Sequence, residues 1–334
     1  MSAAGQENAP PPVAAGAAAP LPTVVPTRRW WQPRLEVGWI TKLAFILLLI
    51  GLAILFLYPF IWLISASFKP RGETFDNKII PDHWAWNFTG PDRDSPAVQY
   101  LFNVAPVARW MWNSVWISVL GALLTTFASA LVAFAFAYFR FPLRNLLFGI
   151  LLGTMMLPPE VTMIPVYLLW NNIGHFTTDH AWLPHIGVGT QYPLWVPNMF
   201  GSAFYIFLQR QFFMSIPRDY FEAARMDGDN YFSMFRRIAL PLAKPALIVT
   251  FIFEIQAKWF DLIGPLIYLR DQATFTAPLG MKVLLDRFNA SGGGIGDYQV
   301  IMAGTLLLVL PMVILFASFQ KYFIRGIAIQ GRKG

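Results

Sequence analysis

The chain has 334 residues, of which 56% are apolar and 13% charged, with a mean hydropathy of +0.49. A soluble domain carries about twice that charged fraction, so the sequence reads as an integral membrane protein. The formal charge of +7 does not point to nucleic acid, because a nucleic-acid binder gathers Lys and Arg on one solvated face and here they lie between apolar runs; zero cysteines exclude a disulfide framework, a thiolate metal site and a cysteine nucleophile.

Residues 1–38 begin with an Ala- and Pro-rich stretch that buries too little apolar surface to offset chain entropy. A disordered tail is expected there, and no basic region precedes a short apolar core as a secretory signal would require. Residues 43–64 then run for 22 residues without a charge, enough to cross a hydrocarbon core of about 30 Å. Further spans are expected at 111–139, 146–170, 192–208, 245–269 and 300–319, so the fold class is all-α with six transmembrane helices. Sixteen of the 25 Lys and Arg fall in the N-terminal flank, the turn after span two, the segment between spans four and five, and the C-terminal tail. Eight fall in the alternate loops, and this asymmetry predicts that both termini are cytoplasmic. The external segments are then 68–110, 171–191 and 270–298. The first, rich in Trp, Asp and Pro, reads either as a docking loop for an outside partner or as a solvated connector.

The cytoplasmic segment 212–242 is the most informative. Within it, residues 215–241 read SIPRDYFEAARMDGDNYFSMFRRIALP. Pro217 suits a first helical turn, and Asp219 and Glu222 favour the positive end of its dipole. The helix is expected to run to about Asp227, with Gly228 supplying a positive φ at its end. Asp229 is expected to cap a second helix over 230–239, stopped by Pro241. The small pair Ala223 and Ala224 would let another surface approach closely.

Glu222, Ala223, Ala224, Gly228, Ile238, Leu240 and Pro241 stand at the spacing of the EAA loop, and the segment resembles that loop in importer-type ABC transporter permeases. SASFKP (65–70), FRFPLRN (139–145), MMLPPEVTMIPVYLL (155–169), FDLIGPLIYL (260–269), TAPLGM (276–281) and the terminal KYFIRGIAIQGRKG are similar to the carbohydrate, maltose-type branch of that family. The resemblance covers residues 40–334 and implies a type I importer permease fold in the cytoplasmic (inner) membrane of a prokaryote. It implies alternating access driven by two cytoplasmic ATPase subunits, a second permease subunit forming a heterodimer, and an external solute-binding protein that delivers a sugar or related polyol. Glu222, Ala223, Ala224, Asp227, Gly228, Leu240 and Pro241 would couple to the ATPase. The tail 320–334, from Gln330 to Gly334 above all, is a further contact candidate.

No G-x-x-x-x-G-K-[ST] occurs, and the glycine cluster at 292–296 lacks the following Lys, so ATP hydrolysis is expected in separate subunits and the chain is not read as an enzyme. No cofactor or metal is expected. His175, Asp179, His180 and His185 crowd one external loop, but at irregular spacing. Glu160, Glu254, Lys258 and Asp261 fall inside expected spans, where a central charge costs about 2.5–3.5 kcal/mol. Glu254, Lys258 and Asp261 are spaced i, i+4 and i, i+3, so they share a helical face and are expected to neutralise one another. Two readings stand for them: a structural ion-paired face, or a polar stripe lining the substrate path together with Glu160 and Trp259, with Phe260 and Trp195 beside it. The family's usual Trp-Asn-Asp or Trp-Asn-Glu triplet is replaced by Trp259, Phe260 and Asp261 after a Lys, which leaves a sugar phosphate open as solute. An ion-coupled secondary transporter using these three charges is the rival from another class; an amino-acid or peptide importer is the rival within the class. A membrane enzyme with an acidic site at Glu160 lacks a second catalytic group of known spacing.

Overall fold

The computed structural model describes residues 38–70, 73–76, 78–82, 97–180, 182–290 and 298–330, all helices and their connections. The expected tail up to residue 37, residues 71–72, 77 and 83–96 of the first expected external segment, the 292–296 glycine cluster and residues 331–334 lie outside the described residues.

The chain forms two units, 1–55 and 56–334. The described part of the first is the N-terminal half of helix α1 (Trp39–Ser67), and its side chains are exposed on every face. A helix that is apolar all round and packs on nothing is made for a non-aqueous surrounding. In the second unit the same helix ends with Ser65, Ala66 and Ser67 buried. There the Ser65 hydroxyl donates to the Ile79 carbonyl, and the fully buried Lys69 ammonium donates to the Asp76 carbonyl at 2.7 Å.

After α2 (Ala97–Val104), α3 (Val107–Tyr138) is the central rod, 32 residues without a break. Its buried stripe includes Ser114, Ser118, Gly121, Ala122, Thr125, Ser129, Ala130 and Ala133. Small side chains at helical spacing let neighbouring helices approach closely where hydrocarbon offers no hydrophobic drive. Two helices lie along this stripe, α7 (Ala203–Met214) and α11 (Lys244–Trp259). Before α7 come α4 (Arg144–Thr154), α5 (Pro159–Asp179) and the single turn α6 (Tyr192–Trp195). Between α7 and α11 lie α8 (Asp219–Met226), α9 (Tyr231–Met234) and α10 (Leu240–Leu242); α12 (Ile263–Tyr268), α13 (Ala277–Ala290) and α14 (Tyr298–Gln330) complete the chain.

Three of the six expected spans are interrupted. The third is two helices, α4 and α5, bent by 97°; Pro158 is extended at ψ 135°, and neither it nor Pro159 can donate to the preceding turn. The fourth is α6, a tight turn Val196–Phe200 and then α7, divided at Gly201, which adopts φ 75° with a Cβ-equivalent position 3.0 Å from the Ser129 hydroxyl. The fifth breaks between α11 and α12, where the Asp261 carboxylate accepts the Gly264 amide at 3.0 Å and so starts a new helix. By length and composition α1, α3 and α14 (to residue 320) can each cross a membrane. Counting each bent pair, α4 with α5 and α9–α10 with α11, as one span brings the number among the described residues to five.

The segment 270–298, expected to be an external loop, is in part helical. It holds α13, pinned to α3: the Trp110 indole donates to the Gln272 carbonyl (2.8 Å), the Asn113 amide to Ala273 and Phe275 carbonyls (3.0 and 2.9 Å), and the Ala277 amide to the Ser114 hydroxyl (2.8 Å). Gly280 lets the Trp110 ring lie on the α13 backbone, since a Cβ there would sit 2.1 Å from the ring.

Candidate functional site

The EAA-like segment folds as a short lever. Phe221 and Ala224 of α8 are buried in an aromatic cluster with Phe134, Phe213 and Phe235; the Phe134 ring centroid lies 5.3–6.0 Å from those of Phe213, Phe221 and Phe235. Glu222, Ala223, Arg225, Met226, Asp227 and Gly228 are exposed. The adjacent alanines therefore have different fates: Ala224 packs inward and only Ala223 faces out. Helix α8 ends in a Schellman motif, with the Asp229 amide donating to the Ala224 carbonyl (2.9 Å) and the Gly228 amide to the Arg225 carbonyl (3.2 Å). Gly228 has the expected positive φ, 85°.

Two expectations for the second helix are corrected. The cap is Asn230, whose side chain accepts the Ser233 amide at 2.8 Å. Asp229 instead accepts the Ser233 hydroxyl at 2.9 Å and pairs with Arg237 at 3.5 Å. Nor does Pro241 stop the helix. A π-helical stretch, Phe235–Ala239, widens the turn ahead of it, so Pro241 falls in the first turn of α10, where a missing N–H costs nothing. Leu240 packs partly against the aromatic cluster, and Pro241 is exposed. Tyr220, Met226 and Phe232 are exposed around the lever; no motif had singled them out, although large apolar side chains flanking a projecting helix are themselves a signal.

The intramembrane charges do not neutralise one another. No ion pair joins Glu254, Lys258 and Asp261 among the described residues. The Glu254 carboxylate accepts from the Asn198 amide (3.0 Å) and the Thr125 hydroxyl (3.2 Å), the Lys258 ammonium donates to the Leu194 carbonyl (3.3 Å), and Asp261 caps α12. The break at 260–262 redirects the chain, so Asp261 no longer continues the α11 face; Glu254 and Lys258 both stay within α11, but Glu254 turns to Asn198 and Thr125 while Lys258 reaches the Leu194 carbonyl. Trp259 is 2% exposed and its indole donates to the Leu308 carbonyl of α14 at 2.9 Å, so it packs the fold and lines no open path in this structure. Glu160 is exposed in the first turn of α5, beside the bend and apart from the Glu254 node. Phe260 is exposed, and Trp195 is half-buried against Tyr192.

Asn198 is a candidate site residue that charge-based reading missed. Buried in the turn before Gly201, it also donates to the Gly121 carbonyl (3.2 Å) and the Thr125 hydroxyl (2.9 Å), tying α3 to α11 through Glu254. In the loop after α5, His180 bonds the Phe176 carbonyl (2.8 Å) and His185 the Thr178 hydroxyl (3.2 Å). Among the described residues no three His, Asp or Glu converge.

The model of the family described as binding-protein-dependent transport system inner membrane component matches residues 126–329. The chain belongs to this family. As an inner membrane component it is a transport subunit rather than an enzyme, and its transport depends on a binding protein. It is 31% identical over 302 residues to the arabinooligosaccharides transport system permease protein AraQ of Bacillus subtilis (strain 168), covering 88% of this chain and 96% of that one. It is 30% identical over 296 residues to the sn-glycerol-3-phosphate transport system permease protein UgpE of Salmonella typhi, covering 84% and 93%. Among solved structures, a bacterial ABC transporter involved in the import of the acidic polysaccharide alginate shares the fold, with a TM-score of 0.68 at 21% identity over 85% of this chain and 96% of that one.

Proposed function

We propose that this inner membrane component is one of two permease subunits in an ABC importer for a sugar or related polyol, driven by two cytoplasmic ATPase subunits that seat α8. The observation that carries the reading is the lever itself: its inner face is locked into the aromatic cluster by Phe221 and Ala224, while Ala223 and Met226 are exposed and Glu222 and Arg225, also exposed, border a basic cavity beside it. An ATPase groove closing on the free face would move the locked face and with it α3. Asp227 and Gly228 end the lever, and Leu240 and Pro241 join it to α11. Both termini and the lever lie on the cytoplasmic side in this reading, supported by the Lys and Arg asymmetry.

The carbohydrate class rests on the relatives named for arabinooligosaccharide and sn-glycerol-3-phosphate transport. A sugar phosphate is the second reading, favoured by Lys258, whose ammonium meets the Leu194 carbonyl and has no carboxylate partner among the described residues. Glu254, Lys258 and Asp261 remain candidates for the path as hydrogen-bonding groups, with exposed Glu160 at the bend. Family membership sets the ion-coupled rival aside. The test is uptake by the assembled transporter of labelled arabinooligosaccharides and sn-glycerol 3-phosphate, comparing wild type with Glu222→Lys. The variant is expected to lose ATPase association and uptake while still reaching the membrane; intact association and uptake would refute the coupling role.

A further inference from the structure

Behind the lever, between the ends of α3 and α7, the start of α4 and α8, lies a cavity of about 560 Å3 lined by Arg140, Arg144, Arg210, Arg218 and Arg225, with Glu222 as its one carboxylate. None of the five guanidinium groups makes an ion pair among the described residues. Two of them are held in place: Arg210 stacks over the Phe148 ring at 4.2 Å and donates to the Phe136 carbonyl (3.5 Å), and Arg144 donates to the Phe139 carbonyl (3.3 Å). Five cations gathered around one carboxylate, two of them held in place, match an anion with several acceptor oxygens.

A second recess shares Arg140 and Arg144 and opens past Leu143 and Leu146. From there α4 buries no residue, and Leu146, Leu147 and Ile150 are exposed along it. A charged cavity that continues into an uncovered apolar helix has the two-part chemistry of an amphiphile. We propose that this cavity binds the phosphate headgroup of an anionic phospholipid, with its acyl chains lying along α4. The proposal rests on the reading above that the lever lies at the cytoplasmic membrane face, where basic pockets meet anionic headgroups. Bound there, the lipid would brace the base of the lever against α3 and α4.

The test uses the full chain in its assembled complex, reconstituted in phosphatidylcholine with phosphatidylglycerol, then extracted and assayed by mass spectrometry for phosphatidylglycerol retained per permease. Wild type is expected to retain it, Arg144→Gln with Arg210→Gln to retain about ten-fold less, Arg144→Lys with Arg210→Lys to keep most of it, and Arg236→Gln with Lys244→Gln, an equal charge loss outside the cavity, to match wild type. Retention by the Arg144→Gln, Arg210→Gln variant equal to wild type, an equal loss in the Arg236→Gln, Lys244→Gln control, or displacement from wild type by inorganic phosphate would overturn the proposal, the last because it would make the ligand a soluble anion. If the Arg144→Gln, Arg210→Gln variant fails to assemble, the lysine variant and phosphate displacement still decide. Because the chain has no cysteine, Ser215→Cys reports sidedness separately: labelling by an impermeant maleimide in inside-out vesicles alone supports the cytoplasmic reading, and labelling from the other side defeats that reading whatever the lipid assay gives.

Discussion

Gly228 holds φ 85° at the end of α8, a conformation that costs a residue with a Cβ about 1–2 kcal/mol. Nothing lies within 4 Å of the space its Cβ would take, so Gly228→Ala tests backbone strain alone. It is expected to shorten or fray α8, to weaken ATPase binding several-fold and to lower the thermal midpoint of the purified complex; unaltered binding would show that the turn tolerates a side chain. Gly228 was legible in the sequence because a glycine after a capped helical pattern has one common use. Asn198 was not. An amide between Pro197 and Met199 carries no charge or motif to mark it, and its importance comes from three partners on residues 121, 125 and 254 that only the fold brings together.

At the scale of elements, apolar runs were easy to find and their breaks were not. Hydropathy averages over a window, whereas the interruptions at 155–158, 201 and 260–262 are made by single prolines, a glycine and a capping carboxylate. The same holds for α13, whose mixed composition hides a helix stabilised by its hydrogen bonds to α3. One element carries strain that can be measured. Leu143, just ahead of α4, adopts φ 62°, the only positive φ outside glycine among the described residues. Leu143→Gly is expected to stabilise the purified complex by about 1 kcal/mol, raising its thermal midpoint. A lowered midpoint would mean that the exposed leucine side chain contributes more in the membrane than its backbone costs.

Across the whole second unit, the proposed coupling depends on transmission, and the aromatic cluster is its first link. Phe134 joins α3 to α7, α8 and the π-helical stretch at once. Phe134→Ala would leave a cavity in that joint, at a cost of about 3–5 kcal/mol if the site cannot collapse. The expected outcome is an assembled transporter that hydrolyses ATP but imports solute poorly. Normal import per ATP hydrolysed would show that force reaches the spans by another route.

Helix α3 has no proline and no break over 32 residues, which at 1.5 Å per residue makes a rod of about 48 Å. One end is gripped by the lever's aromatic cluster, and the other by Trp110, Asn113 and Ser114 against the 272–280 segment. A rod clamped at both ends has no slack: a displacement imposed on one face of the membrane must reappear on the other, and any lost motion has to come from the jointed helices α4–α5 and α11–α12 around it.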